Sequence, residues 1–219
     1  MSAVKLIWIT PDAERVIAYC ARVSNPANQD NPDATKLLRY CIRNKHWSIF
    51  EMAAMCVEIN TTRDIGRQIL RHRSFHFEEF SGRYQSYDAL PAAPLRECRL
   101  HDTKNRQNSI PVDDEELEAW WDAAQRQLNS EASCLYQEAL KRGIAKEQAR
   151  ALLPEGLTPS RMYMHGTIRD WLHYVDLRSG NGTQKEHMEI AKAIGDILRQ
   201  QVPTIHAAMW GSNGGDLAA

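Results

Sequence analysis

The sequence predicts an α+β fold: a single domain with a central, mostly antiparallel sheet surrounded by helices, one of them long. Three observations point there. Met55, Val57 and Ile59 alternate with Cys56, Glu58 and Asn60, the period of a half-buried strand. Val16, Ile17, Cys20 and Val23, and then Leu37, Leu38, Cys41 and Ile42, recur at helical spacing. Residues 113–142 are amphipathic throughout, with acids at the start and Gly143 at the end, so one long helix is expected there.

The remaining elements follow in order. Residues 5–10 (KLIWIT) read as a short buried strand, and Thr10-Pro11-Asp12 starts a helix because proline is tolerated in a first turn. A loop rich in Asn, Pro and Asp (25–32) leads to a helix over 34–45, and 52–62 forms the alternating strand. Residues 63–73 have helical propensity but little apolar stripe. Residues 88–113, broken by Pro91, Pro94 and Pro111, read as a long excursion or lid-like loop. A short helix over 145–153 stops at Pro154, two more cover 167–178 and 184–201, and 211–219 reads as a loose tail. No internal repeat or dividing linker is visible, so residues 1–219 are expected to form one domain.

Composition excludes several classes. A chain of 219 residues, 43% apolar, can bury roughly 70% of its unfolded surface. Lys+Arg number 27 against 28 Asp+Glu, a net charge of -1, so no global basic field exists to hold nucleic acid or an anionic membrane. No apolar run approaches the ~18 residues of a membrane span. The start, MSAVKLIWITPD, has neither the basic region nor the long apolar core of a secretory signal, so a cytoplasmic location is expected. Five scattered cysteines without a CxxC pair argue against a disulfide framework or a Cys-based zinc site.

Anion binding must then be local, and Gln68 to Tyr84 (QILRHRSFHFEEFSGRY) is where it concentrates. On a helix Arg63, Arg67 and Arg71 would share one face and repel, a stack that an anion would relieve. The competing reading is a solvated surface helix whose arginines complement its dipole. Phe75, Phe77, Phe80 and Tyr84 favour a site, because aromatic surface beside cations suits a flat heterocycle. His72 and His76 stand four apart, a spacing that could bind zinc with Glu79, but the flanking arginines disfavour a dication and no metal is expected. Gly82 reads equally as a turn residue or as room for a ligand. Trp120 and Trp121 read as packing or subunit contact. Arg178, Asn181 and Gln184, near the break at 180–182, could line a pocket.

Arg71-His72-Arg73, followed after seven residues by Ser81, with Glu79 before it and Arg83-Tyr84 after it, resembles the RHRx7S signature of the flavin-dependent thymidylate synthases. The fuller pattern, RHRxxSxxExSxRY, is met except that His76 stands where Ser is common. His46-Trp47-Ser48-Ile49-Phe50-Glu51 looks like the family's upstream flavin-side segment, although Met52 follows where His is frequent. Ala149-Arg150 before Leu153-Pro154, and the stretch from Arg169 to Glu186, resemble its third and C-terminal blocks. The resemblance implies reductive methylation of dUMP to dTMP, with FAD as cofactor and NADPH and 5,10-methylenetetrahydrofolate as co-substrates. It also implies a homotetramer with active sites at subunit interfaces. Ser24, Ser48, Arg71, His72, Arg73, Glu78 and His173 fall on flavin-side positions. Gln68, Arg71, Glu79, Ser81, Gly82, Arg83, Arg150 and Arg178 fall on nucleotide-binding positions, and His46 falls near flavin and folate. Arg178, Ser81 and His46 are the expected catalytic residues.

The chemistry agrees with that resemblance. Methylating C5 of uracil needs an activated ring, yet no cysteine lies in or near the motif, the nearest being Cys56 and Cys98. A reduced flavin is a hydride source that needs no enzyme nucleophile. Ser81 then suits phosphate or backbone orientation better than attack. Arg178 suits charge developing on the uracil ring, and Arg83 and Arg150 suit the phosphate. Two other readings remain open: one-carbon transfer to another pyrimidine nucleotide such as UMP, and an RNA- or nucleotide-binding module.

Overall fold

The computed structural model describes residues 3–180 and 182–211; Asn181 and the expected tail beyond Gly211 lie outside the described residues. The strands are β1 (Ala3–Ile9), β2 (Ala54–Thr62), β3 (His76–Glu79), β4 (Arg99–His101), β5 (Ser109–Pro111) and β6 (Pro159–Thr167). The helices are α1 (Ala13–Ala21), α2 (Thr35–Arg43), α3 (Arg63–Ile69), α4 (Glu115–Lys141), α5 (Lys146–Ala149), α6 (Ile168–Arg178), α7 (Lys185–Gln201) and α8 (Pro203–Trp210). Among the described residues no helix is long and apolar enough to cross a membrane.

Four strands form one sheet in the order β1-β2-β6-β3. The β2–β6 register is antiparallel: Arg63 N donates to Thr158 O at 3.0 Å, and at the other end Ile168 N donates to Ala53 O at 2.9 Å. Thr10 N to Ala54 O (2.9 Å) and Phe80 N to Arg161 O (2.8 Å) continue that sense to β1 and β3. β2 buries Met55, Val57 and Ile59, as its alternation predicts. β6 was not expected, because its buried face is Ser160, Met162, Met164 and Gly166, only two of which look apolar in sequence. Gly166 is required there: a Cβ would lie 2.5 Å from the Phe75 ring.

The chain groups into two compact units. One holds Asn60–Arg71 and Glu78–Met162. Its core sets Tyr87, Leu90, Tyr136, Ala139 and Ala149 against Phe80, Leu140 and Leu153. α4 runs for 27 residues, and the Asp114 carboxylate caps it by accepting from Leu117 N at 3.0 Å. The excursion at 88–113 is no free lid. It carries the β4–β5 hairpin, with Leu100 opposite Ile110, and is strapped to α4. Arg96 N donates to Gln125 Oε1 at 2.7 Å, while Gln125 Nε2 and Trp121 Nε1 both donate to Arg96 O at 2.9 Å. The Arg96 guanidinium reaches Asp64 at 2.8 Å. Trp121 is therefore a loop anchor, whereas Trp120 is 62% exposed.

The other unit holds Val4–Ile59, His72–Phe77 and the chain from Tyr163 onward. Its core is built on Ile17, Leu38, Phe50, Trp171, Ile194 and Leu198. Trp171 Nε1 donates to Met55 O at 3.1 Å. Thr167 and Asp170 form a capping box that starts α6. α8 was missed because Pro203 reads as a stop after α7, while its actual place is the first turn of a new helix.

The expected helix over 63–73 is shorter. α3 ends at Ile69, so Arg71, His72 and Arg73 occupy the turn before β3, and His76 lies on a strand. The helical spacing that suggested a His72–His76 metal pair is therefore absent.

The strap gives a direct test. Gln125→Leu removes the acceptor of the Arg96 N–H and one of the two donors to its C=O, and should cost roughly 1–3 kcal/mol. The check is a lowered urea midpoint together with faster proteolysis confined to residues 88–113.

Candidate active site

The expected nucleotide-side residues, Arg178 apart, lie in the first unit. Gly66 lets α3 approach the sheet: a Cβ there would meet Met162 Cε at 3.2 Å and Glu79 Oε1 at 3.5 Å. Glu79 Oε1 accepts from Ser160 Oγ at 2.6 Å, which fixes the carboxylate beside α3, where Gln68 lies. Glu78 next to it is exposed. The arginine stack is not uncompensated. Arg63 donates to the Tyr87 hydroxyl at 2.9 Å, and Arg67 pairs with Glu155. Arg71 is exposed and forms no ion pair among the described residues.

After β3 the chain turns at Ser81, whose carbonyl accepts from Tyr84 N and Gln85 N at 3.0 Å each. Ser81 Oγ makes no hydrogen bond to a histidine or carboxylate among the described residues, as suits an orienting hydroxyl better than a nucleophile. Gly82 is buried, and what approaches it is protein: a Cβ there would come within 2.4 Å of the Tyr87 hydroxyl oxygen. The residue is needed for packing. Arg83 and Arg150 converge on Glu147: Arg83 Nε donates to its carboxylate at 3.2 Å and Arg150 Nε to its carbonyl at 3.3 Å. Lys146 Nζ donates to Tyr84 O at 3.1 Å. Arg83 thus meets the Glu147 carboxylate while Arg150 and Lys146 donate to backbone carbonyls of the same two segments, and a group of three cations of this kind suits a phosphate dianion. Glu147 was not among the expected residues, although its place three before Arg150 was a local signal.

The flavin-side residues other than Arg71 and Glu78 lie in the second unit. His46 precedes the short 3₁₀ turn Trp47–Met52, with its ring 5.7 Å from Tyr40. Within that turn Trp47 meets His173 edge to face at 4.8 Å, so the His46–Ser48 segment and α6 share a surface. Ser48, His173, Ser24 and Arg73 are all exposed.

His72 and Arg178, far apart in sequence, meet directly: Arg178 Nε donates to His72 Nε2 at 2.9 Å. The imidazole must therefore be unprotonated at Nε2. Burial, helped by the Arg178 charge, lowers its pKa from 6.5 to about 4 and keeps it neutral. Behind it stand two residues the sequence reading missed. The Tyr174 ring meets the His72 ring edge to face at 4.8 Å, and the Tyr174 hydroxyl shares a 2.9 Å hydrogen bond with Nε2 of fully buried His187. Tyr174 could have been found one turn before Arg178 on α6, but His187 carries no local signal. Ser179 Oγ, buried beside them, has no partner among the described residues.

The flavin-side residues fit a flavin cofactor. Arg73 forms no ion pair among the described residues, and the Trp47–His173 pair offers aromatic surface next to exposed Ser48. Neither neighbouring thiol is poised to replace it. Burial raises the pKa of Cys56, and partial burial with Glu118 and Asp114 nearby raises that of Cys98.

An antiparallel α+β scaffold with exposed arginines, and with a guanidinium that a neutral histidine holds without an ion pair among the described residues, has the chemistry of an anion-binding protein. The chain matches the family described as thymidylate synthase complementing protein over residues 5–204 and belongs to it. More particularly, it resembles the flavin-dependent thymidylate synthases. It is 52% identical over 198 residues to the probable enzyme of Paramecium bursaria Chlorella virus 1, covering 90% of each chain. It is also 52% identical to that of Synechocystis sp., covering 90% of this chain and 89% of the relative. Among solved structures, the UMP/dUMP methylase PolB from Streptomyces cacaoi bound with 5-Br dUMP has a TM-score of 0.79 at 26% identity, covering 95% of this chain and 94% of its own. With 5-Br UMP the TM-score is 0.81 at 25% identity, with 98% and 96% covered.

The buried histidines predict a pH dependence of stability. Burial, with the Arg178 charge, holds His187 down at about 3, so below pH 6.5 the unfolded chain binds a proton that the folded chain refuses. Stability should be constant above pH 6.5 and fall as pH drops towards 3. Between pH 7.5 and 5 the wild type should lose about 2 kcal/mol more than a Tyr174→Phe/His187→Phe double variant. Urea midpoints at the two pH values check this.

Proposed function

We propose that this chain methylates dUMP to dTMP reductively, taking its carbon from 5,10-methylenetetrahydrofolate and its electrons from NADPH, with FAD as cofactor. The observations that carry the reading are two cation arrangements, Arg83 with Arg150 at Glu147 in the first unit and Arg178 on His72 in the second. Arg83 and Arg150 hold the phosphate, with Lys146 near. Gln68, Glu79, Ser81 and Gly82 shape the nucleotide side, and Ser81 orients without attacking. Arg178 takes the charge that develops on the uracil ring, because a fixed cation in a dry site stabilises it strongly. Ser24, Ser48, Arg71, His72, Arg73, Glu78 and His173 would hold the flavin, which would supply hydride in its reduced form, and His46 would lie near flavin and folate. The chain acts as one catalytic domain in the cytoplasm, within a homotetramer whose active sites form at subunit interfaces.

A second reading has an observation of its own: the solved neighbour is named for methylating both UMP and dUMP. Purified protein should be yellow, release about one FAD per chain on denaturation, and oxidise NADPH only when dUMP is present. Equal turnover of UMP would replace the strict dUMP assignment. A colourless protein that takes up no FAD would end the flavin reading.

Glu147 makes the phosphate assignment testable from both directions. The Arg83–Glu147 pair is exposed, so Arg83→Ala should weaken dUMP binding by about 1–2 kcal/mol while leaving FAD binding intact. Glu147→Gln removes the carboxylate that competes with phosphate and should tighten dUMP about two- to fivefold. Calorimetric titration of the FAD-loaded protein reads both.

A further inference from the structure

Tyr174 and His187 have no place in the chemistry above, yet they form a buried polar pair in a core of Trp171, Leu172, Val175, Ile190 and Ala191. Burying a phenol and an imidazole desolvates two polar groups, and Phe with Leu would fill similar space without that cost. Their neighbours suggest what the pair does. Tyr174 sits one helical turn before Arg178, so α6 carries both the ring that wedges His72 and the guanidinium that His72 holds. Phe75 meets the imidazole at 6.4 Å and 84° and the Tyr174 ring at 5.8 Å, and the His187 ring stands 6.2 Å from the imidazole at 85°. The titratable groups facing His72 are thus Arg178 and Tyr174 from α6 and His187 from α7.

An imidazole can hold a guanidinium only through an unprotonated nitrogen aimed along the N–H. Rotation of the ring breaks the bond. In return, a neutral acceptor orients Arg178 at Nε without cancelling its charge, leaving the Nη fork free for a ligand.

We propose that Tyr174 and His187 are positioning residues for nucleotide binding: their shared hydrogen bond locks the His72 ring as the acceptor for Arg178 and so aims the Arg178 fork at the nucleotide. The proposal rests on the reading of Arg178 as a nucleotide ligand, and the experiment separates the two. Kd for dUMP is measured by calorimetry on FAD-loaded protein for the wild type, Tyr174→Phe, Arg178→Lys and the double variant. Tyr174→Phe keeps the ring and removes one hydroxyl; it should weaken dUMP about tenfold. In the Arg178→Lys background the same change should cost nothing further, because residues acting through one contact are non-additive. His187→Gln, which keeps a partner for the hydroxyl, should stay near wild type, while His187→Leu should match Tyr174→Phe.

Unchanged affinity in Arg178→Lys would remove Arg178 from the nucleotide site and take the proposal with it. Weakened binding in Arg178→Lys with no effect of Tyr174→Phe, or with the two effects adding, would overturn the proposal alone. Nitrogen-15 NMR of the wild type decides independently of any variant's folding: His72 should carry its proton on Nδ1 at neutral pH, and an Nε2–H tautomer would overturn the proposal.

Discussion

The contact on which the candidate site depends is the hydrogen bond from Arg178 to His72. A carboxylate in the place of the imidazole would hold the guanidinium more tightly and neutralise it, and the site would lose the cation it needs. A charged imidazolium would expel it. Only a neutral ring gives direction and preserves charge, and neutrality follows from burial, which lowers the His72 pKa to about 4. The packing around that ring, Phe75 against Gly166 and Trp171 and Tyr174 at the ring edge, is therefore part of the electrostatics.

Much of this was legible in sequence, and the failures have physical causes. The long helix, α6, α7 and β2 announce themselves in sequence, the long helix by acids at its start and Gly143 at its end and β2 by its alternation, whereas the Thr167–Asp170 box that starts α6 emerges only in the structure. β3 is only four residues long, and β6 buries a serine and a glycine, so neither shows a hydrophobic alternation. The arginine run of 63, 67 and 71 was read as one repelling face. In fact α3 stops at Ile69, and two of the three side chains find Tyr87 and Glu155, partners set by tertiary structure alone. The RHR motif could be recognised as a motif, but that its histidine accepts from an arginine a hundred residues away could not. His187 was invisible for the same reason: a lone histidine in a helix gives no sign that a buried tyrosine waits for it.

Gly82 shows how a motif position can be required for a reason other than the ligand. Its place between Ser81 and Arg83 suggested room for a nucleotide, yet the Tyr87 ring occupies the space a Cβ would take. Tyr87 in turn accepts from Arg63 and packs on Tyr136 of the long helix. The glycine thereby lets Tyr87 pack against the turn that carries Ser81 and Arg83.

The distribution of ion pairs explains how a chain with net charge -1 binds anions. Arg67, Arg96, Arg142, Arg169 and Arg199 each meet a carboxylate, so the charge balance is made locally over much of the surface. Arg71, Arg73 and Arg178 form no ion pair among the described residues, Arg83 pairs with the Glu147 carboxylate, and Arg150 donates to the Glu147 carbonyl. Those five are cations on the motif and the blocks that resemble the family. With the pKa of the Cys56 and Cys98 thiols raised by their surroundings, the chain's own chemical resource is its cations, among them Arg178 held by a neutral histidine. Such a site suits a reaction whose reducing equivalents arrive on a cofactor: the protein need only hold an anionic nucleotide still and stabilise the charge that develops on its ring.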